Sequence, residues 1–247
     1  MDAIITFSLV AIIVLFASFV RGATGFGLAM TAMPLLNLFM PYLDTVILAV
    51  YINLVFSLVH LIRSKGSITS QNLILTLVFS IIGVTIGVLL LKSVNQNIMK
   101  TIAGIIVILF SISLLAGIEI KLKNKSVAFS SASLLGGVLA GSASIGGPVA
   151  AVILGGSGLK QNKFRYAMSV FFLVSYLYSA ILYGATKMVS VINIKLILFS
   201  IPFMAIGLLI GDKCATRLDS KVFRTIILYI LILSGFLISY QGLKNII

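Results

Sequence analysis

The sequence is poor in charge of either sign and almost devoid of acid. Five Asp and Glu residues serve 247 positions, charged residues together make up 9%, and there is one cysteine, one histidine and no tryptophan. A water-soluble domain carries about 25% charged residues, so this chain lacks the means to coat itself for water. That excludes a soluble enzyme or a soluble nucleic-acid binder. The lone Cys214 excludes an internal disulfide and a Cys-x-x-Cys redox or metal site. Asp2, with no Lys or Arg ahead of the first apolar run, leaves no basic region for a signal peptide, and the run reads as a retained membrane segment. The acids present, Asp2, Asp44, Glu119, Asp212 and Asp219, all lie at segment ends or in loops. A carrier built around a buried carboxylate proton relay needs one mid-segment. Coupling, if there is any, therefore has to run through His60, a mouth carboxylate such as Asp44, a cation on backbone carbonyls, or the substrate's own protonation.

What is abundant is apolar side chain: 60% of residues are hydrophobic and the mean hydropathy is +1.23. At about 20 residues per helical crossing, the length accommodates roughly eight to ten crossings. Ten apolar stretches can be read, near 3–20, 28–40, 43–62, 73–91, 98–118, 127–140, 149–159, 166–183, 194–210 and 222–240. The first, second, sixth and seventh are short. Each short pair is separated by a glycine-rich tract, Arg21-Gly-Ala-Thr-Gly-Phe-Gly27 and Gly141-Ser-Ala-Ser-Ile-Gly-Gly-Pro148. The Phe and Met residues read as core or lipid-facing, with no cofactor implied.

The two tracts point to a duplication. At an offset of 119, Gly22, Gly25, Phe26 and Gly27 fall on Gly141, Ser144, Ile145 and Gly146; at 124, Gly83-x-x-x-Gly87 falls on Gly207-x-x-x-Gly211. The glycine pairs themselves read as helix-packing faces. The expected architecture is all-α, a polytopic membrane protein of two five-segment repeats, residues 1–120 and 121–247, with about eight full spans plus discontinuous or re-entrant helix pairs.

The formal charge of +13 reports orientation in such a chain. Arg63, Lys65, Lys121, Lys123, Lys125, Lys160, Lys163, Arg165, Lys213, Arg217, Lys221 and Arg224 fall in loops on one side, and Lys92, Lys100, Lys187, Lys195 and Lys244 on the other. The larger set is expected in the cytoplasm, which puts both termini outside. An odd number of segments per half then inverts one half relative to the other. Inverted repeats with interrupted helices at matching positions are a sequence signature of secondary transporters, with substrate near the bilayer midplane.

A helix broken in the membrane leaves backbone groups that need partners, and helix N-termini suit anions. Half-helices are expected to start near Gly27 and Pro148, the latter at the first helical position. Gly22, Gly25, Phe26, Gly27, Gly146, Gly147 and Pro148, with hydroxyl donors from Thr24, Ser142 and Ser144, make the candidate cradle for a small oxyanion. Arg21 is either an interfacial anchor or an anion-binding charge. Asn53, which shares a helix face with Ser57, either bonds across helices or lines the pathway; Ser175, Tyr176 and Tyr178 are comparable in the second half. His60 reads as interfacial.

The paired tracts Gly22-Ala-Thr-Gly-Phe-Gly27 and Gly141-Ser-Ala-Ser-Ile-Gly-Gly-Pro148, each opening one half of a small duplicated membrane protein, resemble the TauE/SafE family of sulfite and organosulfonate exporters. The resemblance implies a multi-pass inner-membrane transporter of small sulfur-containing anions such as sulfite, thiosulfate or sulfonates, with lipid and a small anion as its partners and no nucleic acid. Two alternatives belong to other classes. One is a passive anion channel; the other is an intramembrane enzyme, which would have to pair Ser144 with His60.

Overall fold

The computed structural model describes residues 3–24, 27–63, 67–117, 122, 124–215 and 220–246. Among these residues there are ten helices and no strand: α1 (Ala3–Thr24), α2 (Leu28–Leu36), α3 (Tyr42–Arg63), α4 (Ser70–Ser93), α5 (Gln96–Leu115), α6 (Lys125–Ala143), α7 (Gly146–Gly155), α8 (Gln161–Ala185), α9 (Val191–Ala215) and α10 (Ser220–Lys244). All but α2 and α7 are long and apolar enough to cross a bilayer, which makes eight candidate spans. The chain is an all-helical polytopic membrane protein.

Local chemistry sets several helix starts. Thr69 caps α4 by accepting from the Asn72 N–H, Asn95 caps α5 through Asn97, and Asn124 caps α6 through Ser126 and Val127. A polar side chain accepting from the first turn satisfies one of the donors that every helix leaves unpaired. Along the spans, large apolar residues point outward, among them Ile74 and Leu89 on α4, Leu198 and Leu209 on α9, and Leu233 and Phe236 on α10. Exposed apolar surface on this scale suits hydrocarbon rather than water.

The helices form two compact units. Unit 1 comprises residues 1–52, 95–116 and 189–247; unit 2 comprises 53–94 and 117–188. In unit 1, α1 packs on α9, α5 on α10, and α2 on both α1 and α10. In unit 2, α4 packs on α6 and α8, and α7 on α6 and α8. Each unit thus draws helices from both 1–120 and 121–247.

Glycine makes the tightest of these pairings possible. In unit 2 a methyl group on Gly83 would strike the Leu134 carbonyl and one on Gly87 the Val138 carbonyl. In unit 1 a methyl on Gly207 would strike the Leu15 carbonyl and one on Gly211 the Phe19 carbonyl. With no lipid-excluding drive between helices, such backbone contact is the means by which membrane helices gain van der Waals attraction. The Gly-x-x-x-Gly pairs are packing faces.

The expectation that both members of each glycine-separated pair are short is corrected. Only the second member is: α2 has 9 residues and α7 has 10, whereas α1 has 22 and α6 has 19. At 1.5 Å per residue the short helices cover about 14–15 Å, half the hydrocarbon thickness. The reason lies in the first glycine of each tract. Gly22, 2.7 Å at its missing Cβ from the Leu208 carbonyl, and Gly141, 2.6 Å from that of Val84, are pressed against a neighbouring helix and remain helical. The chain breaks only beyond them.

Candidate functional site

The break between α6 and α7 lies in unit 2 and falls at Ser144. Ser144 has φ 60° and ψ 13°, in the left-handed region, and closes α6 with its N–H on the Ala140 carbonyl (3.1 Å); the Ile145 N–H follows onto Leu139 (3.2 Å). A non-glycine residue in this conformation costs about 1–2 kcal/mol, and here the side chain has a partner. The buried Asn53, on α3, donates from Nδ2 to Ser144 Oγ at 3.3 Å. Tyr176 Oη, on α8, donates to the Ser144 carbonyl at 3.0 Å, and Tyr183 Oη to that of Gly141 at 2.7 Å. The Tyr176 ring is stacked on Phe172, centroids 5.9 Å apart and 11° from parallel.

α7 then starts at Gly146, two residues earlier than its expected start near Pro148. Pro148 falls in the first turn, where its missing N–H still costs nothing. The earlier start is possible because Gly146 has no Cβ: a methyl there would collide with the Gly136 carbonyl and lie 3.0 Å from the Ala140 methyl. No side chain among the described residues caps α7. The N–H groups of Gly146 and Gly147 therefore precede the first intrahelical bond and carry the positive end of the helix dipole. Ser144 is fully buried, and among the described residues its hydroxyl accepts from Asn53 while its own hydrogen has no acceptor. One O–H and two N–H donors thus fall within four residues, Ser144 to Gly147, at the start of one buried helix.

Ser142 differs from Ser144. Its Oγ donates back to the Val138 carbonyl at 2.7 Å, so its hydrogen is already engaged within α6. Gly147 lies against the Phe172 ring, whose nearest carbon is 2.8 Å from the point a Cβ would occupy. Asn53 also takes the Ser57 hydroxyl on its carbonyl, the bond expected of two residues one turn apart.

The other break lies in unit 1. α1 runs through Arg21 and Gly22 to Thr24, and α2 opens at Gly27, whose φ of 93° is open to glycine and strained for other residues. The Gly27 carbonyl accepts the first intrahelical bond, from the Thr31 N–H at 2.9 Å, which leaves the N–H groups of Leu28, Ala29 and Met30 without intrahelical acceptors. No side chain among the described residues caps α2. Arg21 is 4% exposed, in the last turn of α1, so it is sequestered by protein rather than reaching out as an exposed interfacial anchor. Gly25 and Phe26 lie outside the described residues, as do the side chains of Thr24 and His60.

Several further polar residues are placed by the structure. Thr31 is 2% exposed and Ser18 fully buried, and neither hydroxyl has a hydrogen-bond partner among the described residues; the same holds for Ser175 in unit 2. Thr31 lies in the first turn of α2, four residues after Gly27, and that spacing was the available signal. Tyr183 carried none, because its partner is 42 positions away. Asp44, a candidate mouth carboxylate, is held by Asn193 Nδ2 at 2.9 Å in unit 1.

Eight apolar spans, with two half-length helices each following a break at a left-handed residue, define a polytopic membrane protein of the discontinuous-helix type found in transporters. The family model described as Sulfite exporter TauE/SafE matches residues 10–238, and the chain belongs to that family. Its members are membrane transporters of sulfite and related sulfur anions, not enzymes. Comparison with the curated proteins and with the solved structures gave no match.

Proposed function

We propose that this protein exports small sulfur oxyanions such as sulfite, thiosulfate or sulfonates across the plasma membrane, and that the anion is held at the helix breaks. The observation that carries the reading is Ser144: a fully buried side chain kept in a left-handed conformation, whose hydroxyl hydrogen has no acceptor among the described residues, two positions before the N–H groups of Gly146 and Gly147, which no described side chain caps. Strain of this kind persists where surrounding structure over-determines it, and functional sites are where it gathers. Three neutral donors bind an anion without trapping it, which suits a carrier that must also release it. Gly27 and the uncapped start of α2 offer the same chemistry in unit 1. A depth near the bilayer midplane is supported by Asn53, which bonds Ser144 from the centre of the 22-residue α3.

The proposal includes two inverted repeats, 1–120 and 121–247. Their support is the repetition of individual contacts: Gly83 and Gly87 against Leu134 and Val138 become Gly207 and Gly211 against Leu15 and Phe19, under the offsets of 124 and 119 read from the sequence. It also places both termini outside and the larger set of basic loops in the cytoplasm. With Cys214 replaced by serine, a cysteine at Asn245 should react with an impermeant maleimide on intact cells and one at Lys160 should not.

Transport is tested with purified protein in liposomes by following labelled sulfite, thiosulfate and a small sulfonate. Saturable flux that Ser144→Ala lowers at least tenfold is the expected result. Absence of flux for all three anions sinks the substrate assignment, and full flux in Ser144→Ala sinks the site.

A further inference from the structure

A second polar site lies in unit 1, where α2 ends, α5 begins and α10 finishes. These three helix ends line an open cavity of about 470 Å³ whose polar lining is Asn37, Lys100, Gln241, Lys244 and Asn245, with no carboxylate among its lining residues. Its walls are fixed by packing. A methyl on Gly242 would collide with Thr101 Oγ1, Asn97 Nδ2 donates to the Asn245 carbonyl at 3.3 Å, and Ser239 Oγ donates to the Thr101 carbonyl at 3.3 Å.

Lys100 has an evident structural role. Its Nζ donates to the Asn37 carbonyl at 2.7 Å and to Gln241 Oε1 at 3.0 Å, so it closes the carboxyl end of α2. That role does not exhaust the site's charge. An ammonium has three hydrogens, and two are used here. The carboxyl ends of α2 and α10 each contribute about −0.5 charge, while Lys100 and Lys244 contribute two full positive charges. About one positive charge is left over, before the amino end of α5 is counted.

We infer that this cavity binds a small oxyanion group, with Lys100 and Lys244 meeting its charged oxygens. A volume of about 470 Å³, against about 30 Å³ per water in the liquid, holds such a group together with part of its hydration shell. Binding is accordingly weak and salt-sensitive, as for a charge-focusing vestibule. The same chemistry is presented by a free inorganic ion and by the phosphate of a lipid headgroup. The inference does not depend on transport or on the helix breaks.

The test uses the full chain in phosphatidylcholine nanodiscs, with labelled inorganic phosphate and sulfite titrated at low ionic strength by equilibrium dialysis. Lys244→Gln, an exposed change that leaves the fold intact, should weaken phosphate binding about tenfold. Lys100→Gln should do the same, with Lys100→Arg restoring it. A parallel arm adds phosphatidylglycerol and counts retained lipid by native mass spectrometry. Lipid lost from the Lys100→Gln/Lys244→Gln variant identifies a headgroup as the occupant, and phosphate lost from it identifies a free ion. If that variant binds both as the unmodified protein does, or if the unmodified protein binds neither, the inference is wrong.

Discussion

Asn53 and Ser144, 91 positions apart in the chain, are joined by an amide-to-hydroxyl hydrogen bond of 3.3 Å. The bond fixes the side chain of a residue whose backbone conformation is one that glycine adopts without penalty. Replacing Ser144 with glycine separates the two contributions. The backbone gains about 1–2 kcal/mol, and the loss of the hydroxyl, which leaves Asn53 Nδ2 without this acceptor, returns about 1–3 kcal/mol. The expected outcome for Ser144→Gly is a melting temperature in detergent close to that of the unmodified protein, together with sulfite flux reduced at least tenfold. The tenfold figure follows from the removal of one hydrogen bond to an anion, worth about 1.5–3 kcal/mol. Unchanged flux would mean that the strained hydroxyl has no part in transport.

Tyr176 and Tyr183 hold two carbonyls of the same tract. Tyr183→Phe removes one buried hydrogen bond and should cost about 1 kcal/mol of stability with little change in the concentration dependence of flux. Tyr176→Phe should cost a similar amount and also raise the half-saturating sulfite concentration, because it frees the carbonyl of Ser144 itself. Thermal unfolding and concentration-dependent flux, measured on both variants, distinguish these effects. Equal kinetic behaviour of the two would remove Tyr176 from any positioning role.

The sequence pattern located ten helical segments and the two tracts that interrupt them, because apolar runs and glycine clusters are local features. The point of interruption was not local. Gly22 and Gly141 look like breakers in the chain but stay helical, since α9 and α4 press against the faces where they lack a side chain. Ser144, a residue with no strong turn preference, carries the left-handed conformation instead. Its partners Asn53 and Tyr176 come from α3 and α8, and only tertiary packing brings them to it. The lysine-lined cavity was invisible for the same reason: Lys100 and Gln241 meet only because α5 and α10 pair along Gly104, Gly235 and Gly242.

The paired glycines give a test of equivalence between the halves. Gly83→Ala and Gly207→Ala each place a methyl group into an opposing carbonyl, and overpacking of this kind costs about 1–3 kcal/mol. Both should lower the melting temperature by similar amounts. Gly184, with nothing within 4 Å of the added methyl, is the matched control within α8; Gly184→Ala should leave stability unchanged or raise it by up to about 1 kcal/mol. A large loss at Gly83 with none at Gly207 would contradict the proposed repeat.

Thr31 offers a separation of stability from activity in the first half. Its hydroxyl is buried in the first turn of α2 without a partner among the described residues, and an unsatisfied buried hydroxyl costs about 1–3 kcal/mol. Valine has nearly the same shape and no such group, so Thr31→Val should stabilise the protein in detergent. If the hydroxyl waits for the anion, the same substitution lowers sulfite flux at least tenfold, and Thr31→Ser, which keeps the O–H, retains most of it. Higher stability with full flux in Thr31→Val would assign the residue to packing and confine the anion's hydroxyl contacts to Ser144. Higher stability with lost flux would identify Thr31 as a group kept at a cost to the fold because the substrate, when present, supplies the missing partner.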